Sequence, residues 1–270
     1  MSHATAATIT VRKPRFDFAG VGRHYVGDSA VASHVVNGVC MLFPAGERFF
    51  IRSVQHYARR LPDGANTADI RAFMAQEAQH GLAHEAFFAV LREQGYPIET
   101  FLAWYERVAH DKIETRQPPW LRLSVTVALE HLTASLAHAA LADGLLDHVQ
   151  PQVAAMLKWH AAEEIEHKAV AFDVFQAVDG SYVHRVAGMA FALVSLTTFS
   201  ALAARPLLRR DRQQRAWQPL RDWRRDAGEV GYLLRRAGVR RAVATYLRPG
   251  FHPNDCADRE LAAQVVGFPT

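Results

Sequence analysis

From about residue 30 to residue 204 apolar and polar positions recur with helical period, and the rhythm breaks only at LPDGANT (61–67), QGYP (94–97), TRQPP (115–119) and DGS (179–181). No stretch alternates with the period of two that a half-buried strand needs, so the pattern predicts an all-α fold. A first long helix opens near Pro44, where a missing N–H costs little, and carries Phe50, Ile51 and Val54 at helical spacing. A second is capped by Asn66 or Thr67, holds Asp69 in its first turn, where the helix dipole favours an anion, and stops at Gly95. A shorter connecting helix lies around ETFLAWYERVA. A third long helix is expected from about Trp120 to Ala142 and a fourth from about Gln150 to Val178.

Two of the long helices share a motif. Helix two contains Glu77-Ala-Gln-His80 and helix four contains Glu164-Ile-Glu-His167. Residues three apart lie on one helix face, so each motif points a carboxylate and an imidazole at the same neighbour. One copy alone says little, because Glu and His are ordinary helix-surface residues. Glu130 adds weight as the only carboxylate between Glu114 and Asp143, set in the apolar SVTVALEHLTASLAHAAL. An ionised carboxylate buried there needs a cation, whereas an exposed stripe beside Arg122 and His131 would make it unremarkable. Glu47 sits among Phe43, Phe49, Phe50 and Ile51, with Arg48 and Arg52 at hand as ordinary ion-pair partners. The intervals are 30 residues from Glu47 to Glu77, 53 to Glu130 and 34 to Glu164, which suit a hairpin, a crossover and a second hairpin.

The order Glu, Glu-x-x-His, Glu, Glu-x-x-His resembles the ferritin-like di-iron carboxylate proteins. That resemblance implies a ferritin-like four-helix bundle with a crossover connection and additional C-terminal helices. It also implies two metal ions held by Glu47, Glu77, His80, Glu130, Glu164 and His167. Glu77 and Glu164, each heading a motif, are the expected bridges, with Glu47 and Glu130 terminal. Carboxylates and imidazoles suit iron best, with manganese or zinc as alternatives. His160, four residues before Glu164, makes a His-x-x-x-Glu-x-x-His stripe that is similar to the bacterial di-iron N-oxygenases, so His160 is the expected seventh ligand. His84, four residues after His80, is the competing ligand or a hydrogen-bonding support for one. A wider likeness, carried by PAGERFFIRSVQHY, FMAQEAQHGLAHEAF, WHAAEEIEHKAVAFDV and YLRPGFHPND, covers roughly residues 20–255 and resembles a bacterial family of predicted metal-dependent hydrolases.

The two resemblances imply different chemistries. The ligand set implies oxygen activation: an O2-dependent di-iron oxidase or oxygenase acting on a small organic or lipid-like substrate, with an electron donor that the sequence does not name. This is the leading expectation. The family label implies a metal-dependent hydrolase with a dimetal-bridging hydroxide, and a non-enzymatic iron-binding protein is the third reading. There is no G-x-S-x-G, P-loop or G-x-G-x-x-G, so serine-triad and nucleotide chemistry have no support.

Charge and composition refine the organisation. Cys40 and Cys256 are far apart and in no CxxC pattern, which indicates neither a disulfide framework nor a thiolate metal site and suits a cytoplasmic protein. The opening MSHATAATITVRKPRF lacks the apolar run of a secretory signal and reads as a loose arm, residues 1–29, before a dimetal bundle, 30–180. The C-terminal extension, 181–270, begins with nineteen uncharged residues, 186–204, about 28 Å as a helix. Residues 205–241 then carry twelve Arg against Asp211, Asp222, Asp226 and Glu229, a local charge of +8 within a chain of net +4. The apolar helix is expected to pack on the bundle, and the Arg-rich helix to pack through its Trp and Leu residues. Peripheral contact with an anionic membrane through 186–225 is the functional alternative, and no nucleic-acid partner is expected.

Overall fold

The computed structural model describes residues 9–58, 60–61 and 67–266. Among them the architecture is all-α, as the periodicity predicts, and the only extended pairing is an isolated antiparallel bridge between Val26 and Val149. The helices are α1 (Ala30–Cys40), α2 (Phe43–Ala58), α3 (Thr67–Glu93), α4 (Ile98–Glu106), α5 (Pro119–Ala142), α6 (Pro151–His167) and α7 (Val170–Val178), followed by α8 (Tyr182–Gln213), α9 (Pro219–Ala237), α10 (Val239–Tyr246) and α11 (Arg259–Val266). Local chemistry explains several ends. Ser29 caps α1 by accepting from the Ala32 N–H, Pro119 and Pro151 open α5 and α6, and Gly95 takes a left-handed φ of 79° just after α3. Asn66, one of two expected caps for α3, lies outside the described residues.

Four helices surround the polar centre: α2 packs on α3 and on α5, and α6 packs on α5 and on α3. The fourth helix, expected to run unbroken to Val178, ends at His167 and resumes at Val170. At the break the Lys168 ammonium leaves the helix axis for Asp258 and the carbonyl of Cys256. The N-terminal segment also departs from the loose arm expected. From Ile9 onward it is packed: Arg12 donates two 2.8 Å hydrogen bonds to Glu166, Phe16 lies 5.6 Å from Trp159, and Tyr25 and Val26 are buried.

The extension wraps the same helices. Its apolar helix α8 packs on α5 and α1, and α10 and α11 cover α5 and α6. By length and composition both α5 and α8 could cross a membrane; half of the α5 window is buried but only 22% of the α8 window. The outward stripe of α8 has no charge from Val183 to Arg205 and exposes Val183, Val194 and Leu202. The Arg-rich segment packs only in part through its Trp and Leu as expected: Leu207 is buried and Trp217 half-buried, whereas Leu220 and Trp223 face outward. Farther along α9 Leu233 is buried and Leu234 exposed, and polar anchors do the rest: Asp226 accepts from Ser29 and Trp217, and Glu229 meets His148.

α8 can lie this close because small residues stand at its crossings. A Cβ on Gly188 would collide with the Ser124 backbone of α5, and one on Gly38 of α1 would come 2.5 Å from the Ser200 carbonyl oxygen. We expect Gly188→Ala to destabilise the protein by about 1–3 kcal/mol, because the clash is with backbone and not with a side chain that can turn away. Gly228→Ala, at a helical position open to space, is the control and should be neutral or stabilising by up to about 1 kcal/mol. Thermal and denaturant unfolding of both variants checks this; equal effects would refute the close crossing.

Candidate metal centre

Each of the four central helices delivers side chains to one buried point. α2 supplies Glu47, α3 supplies Glu77, His80 and His84, α5 supplies Glu130, and α6 supplies His160, Glu164 and His167. All are buried. His167 Nε2 lies 3.0 Å from Glu77 Oε1, 3.5 Å from Glu130 Oε2 and 3.8 Å from Glu164 Oε2. His80 Nδ1 lies 3.7 Å from Glu77 Oε1 and 3.8 Å from Glu164 Oε1, while His160 Nε2 lies 2.9 Å from Glu164 Oε1 and 3.9 Å from Glu47 Oε1. Donor atoms of Glu47, Glu77 and His80 converge within 4.8 Å, as do those of His80, His160 and Glu164. Glu77 and Glu164 thus stand between two groups of donors, one around His167 and Glu130 and one around His80, His160 and Glu47.

The alternative partners weighed from the sequence are occupied elsewhere. Arg48 pairs with Glu106 at 2.9 Å and Arg52 with Glu114 at 2.6 Å, so neither forms an ion pair with Glu47. Glu130 is buried rather than on an exposed stripe. Both oxygens of Glu47, Glu77 and Glu130 lack any hydrogen-bond partner, and so do His80 Nδ1 and His167 Nε2. Native folds rarely leave buried polar atoms orphaned, and one cluster of aimed oxygens and bare imidazole nitrogens is what a cation requires. By this test the residues fit a metal site.

The surrounding shell fixes the imidazoles in the tautomers that ligation needs, and little of it was singled out in the sequence. His167 Nδ1 lies 2.9 Å from Gln76 Oε1, to which it donates, leaving Nε2 bare toward the carboxylates. His80 Nε2 lies 3.1 Å from Glu163 Oε2, leaving Nδ1 bare. Glu163 in turn accepts from Trp159 Nε1 and Arg12, and Gln76 donates to Glu166. His84 Nε2 lies 2.9 Å from His160 Nδ1, so His84 is a hydrogen-bonding neighbour of the expected seventh ligand as well as a member of a donor group with Glu47 and His160. Thr133 donates to Glu164 Oε2. The signals for these residues were weak: Gln76 and Glu163 each precede a motif Glu. Gly81, a glycine inside a helix, is the clearer one, because a Cβ there would come 3.0 Å from Glu47 Oε2.

Electrostatics follow from crowding. Burial, reinforced by neighbouring carboxylates, makes Glu47 and Glu130 hold their protons well above the usual carboxyl range, and burial raises Glu77 as well. Burial would also raise Glu164, but the imidazoles of His160 and His167 outweigh it and hold this carboxyl well below the usual range. For His167, burial is overcome by Glu164 and Glu77, which hold its proton well above the normal imidazole value. Burial keeps His80 and His84 well below that value. Glu163 is pushed up to about 7, chiefly by burial.

Beside the centre lies a cavity of about 350 Å³. Glu47 and Thr133 reach it from the metal side; Leu42 lines it from the turn before α2, Phe43 and Phe50 on α2, Leu132 and Leu136 on α5, and Phe191, Leu196 and Phe199 on α8. Its wall is overwhelmingly apolar, so it suits a hydrophobic molecule that meets polar chemistry at one end. A family model matches residues 10–257, and the chain belongs to that family, described as predicted metal-dependent hydrolase. No match is found among curated proteins or among solved structures. The family description names hydrolysis and gives no support to the oxygenase expectation.

Metal binding should release protons. In the metal-free fold Glu47, Glu130 and His167, all held well above their usual values, carry protons that ligation displaces. For these groups the stabilisation of the metal-free fold exists below their unfolded pKa values and is lost as pH rises through the folded ones; Glu164 acts in the opposite sense. Titration calorimetry of the chelated protein with Mn(II) or Zn(II) at pH 7, in two buffers of different ionisation enthalpy, should report net proton release. Zero release would contradict this electrostatic account.

Proposed function

We propose that the protein is a dimetal-dependent hydrolase acting on an apolar substrate. The orphaned carboxylate and imidazole cluster beside an apolar cavity supports the metal centre and the apolar substrate, and the family match over residues 10–257 is the observation that favours hydrolysis. Glu77, Glu130, Glu164 and His167 would hold one ion, and Glu47, Glu77, Glu164, His80 and His160 the other, with Glu77 and Glu164 shared. The arrangement is of the ferritin-like kind that the motif order implies. Two divalent ions so placed supply a water of lowered pKa and polarise the group to be cleaved.

The chain's own residues do the rest. The walls from α2, α5 and α8 hold the apolar portion of the substrate and exclude water, so the hydrolysable group comes to rest near Glu47. Gln76 and Glu163 keep the imidazole protons on the outer nitrogens, His167 Nδ1 and His80 Nε2. Thr133 steers Glu164 through its hydroxyl, and Gly81 leaves room for Glu47. α8 forms one wall of the cavity, and its outer stripe is uncharged and leads into the Arg-rich segment; charge complementarity then favours peripheral contact of 186–225 with an anionic bilayer as the source of a lipid-like substrate. Co-sedimentation should show binding to phosphatidylglycerol-containing vesicles and much less to phosphatidylcholine alone; equal retention on both would count against the charge argument.

Oxidation by a di-iron form is a second reading, favoured by one observation: four carboxylates with up to three imidazoles are hard donors that suit iron. The two separate cleanly. Hydrolysis predicts cleavage of chromogenic acyl esters by the Zn(II)- or Mn(II)-loaded protein without O2, reduced at least about a hundredfold in Glu130→Ala, in line with the effect of disturbing a metal site. Oxygen uptake by the Fe(II)-loaded protein, with no ester cleavage under any metal, would replace the hydrolase reading with the oxidative one.

A further inference from the structure

A second cavity, of about 460 Å³, is enclosed by α5, the α9–α10 junction and the segment from Arg248 to Asp258. Three side chains of different chemistry meet in its wall. His138, two turns beyond Glu130 on α5, places Nδ1 3.5 Å from Asp258 Oδ2 and 3.8 Å from Cys256 Sγ. The three donor atoms lie within 4.8 Å of one another. Cys256 and Asp258 both address the same ring nitrogen, so this is not a nucleophile relay, in which the acid and the thiol would take opposite nitrogens. It is the convergence of a ligand set.

The distances can be tested against coordination geometry. Zinc bonds of about 2.3 Å to sulfur, 2.0–2.1 Å to nitrogen and 2.0–2.2 Å to oxygen, at tetrahedral angles, separate sulfur from nitrogen by about 3.6 Å and nitrogen from oxygen by about 3.4 Å. The separations here, 3.8 and 3.5 Å, match those edges to within a few tenths of an ångström. The carboxylate is also supported as a ligand would be. Lys168 binds the far oxygen, Oδ1, and donates at 2.7 Å to the Cys256 carbonyl, so Asp258 is buried and held with Oδ2 turned to His138. A thiolate and a carboxylate together balance a divalent charge.

We propose that Cys256, His138 and Asp258 form a mononuclear zinc-type site, separate from the dimetal centre, with its fourth position open to the second cavity. Three protein ligands and one open position make a site that takes an exogenous ligand, unlike a closed structural zinc. Arg236, Arg241 and Arg248 line the same cavity, and none has a carboxylate partner among the described residues. The ligand class at the fourth position is therefore a small oxyanion, phosphate or carboxylate. The two-cysteine sequence pattern argued against thiolate ligation; the site exists because the chain from Arg248 to Asp258 folds back onto α5, a contact that spacing does not reveal.

Cobalt(II) titration of the chelator-stripped full-length protein tests this, since only a thiolate ligand gives an intense near-ultraviolet sulfur-to-cobalt charge-transfer band. With enough cobalt to fill all three metal positions the band should level off at the intensity of one thiolate-bound cobalt per chain, vanish in Cys256→Ser and persist in Glu130→Ala, where the dimetal centre is damaged. Inorganic phosphate should shift the accompanying visible bands, and less so in Arg241→Ala. In unmutated protein, zinc in excess of three equivalents per chain should slow alkylation of the exposed Cys256 severalfold, a readout that needs no variant to fold. Cobalt bound without the band, a band surviving in Cys256→Ser, or alkylation indifferent to zinc would overturn the site; bands indifferent to phosphate would overturn its anion.

Discussion

Burying four carboxylates around one point is the constraint on which the rest of this structure depends. An ionised carboxylate taken out of water costs several kcal/mol unless a cation or hydrogen bonds compensate it; Glu47, Glu77 and Glu130 accept no hydrogen bond, and the one imidazolium beside Glu77 and Glu130, His167, is shared with Glu164. The metal-free fold meets the cost by protonation, with Glu47 and Glu130 holding protons and His167 balancing Glu164. Two divalent ions would meet it better, close to charge neutrality against four carboxylates. Folding and metal affinity are then linked, and the long apolar faces of α5 and α6 act as the frame that holds this polar centre together.

Precision at the centre comes from residues that never face it directly. Arg12, reaching in from the N-terminal segment, anchors Glu163 and Glu166; Glu163 sets the tautomer of His80, while Glu166 and Gln76 set that of His167. A segment outside the four helices therefore helps orient two imidazoles. On the other side α8, admitted by Gly38 and Gly188, closes the apolar cavity with Phe191 and Phe199. The N-terminal segment from Ile9, α8 and the centre are parts of one arrangement.

Much of this was legible in the sequence, for definite reasons. Helical periodicity, with punctuation near Pro44, Thr67, Gly95 and Pro119, placed α2, α3 and α5 to within a residue or two. The motif order brought Glu47, Glu77, His80, Glu130, Glu164 and His167 forward as a set, and the structure gathers all six with His160 and His84. What escaped depends on contacts distant in sequence. The break after His167 follows from Lys168 meeting Asp258, 90 residues on. The packing of the N-terminal segment rests on Arg12 meeting Glu166, 154 residues away. The exposure of Trp223 and Leu220 escaped because composition cannot tell which face of an amphipathic helix has a neighbour. The reaction escaped for a different reason: one donor set serves hydrolysis and oxidation alike, and the family match, not the ligands, favours hydrolysis.

The central claim is that Glu77 and Glu164 bridge two ions. Anomalous diffraction from crystals of Mn(II)-loaded protein tests it most directly. The account predicts two peaks about 3.5–4 Å apart, both within bonding distance of Glu77 and Glu164, with His80 beside one and His167 beside the other. A single peak, or peaks away from these carboxylates, would contradict it.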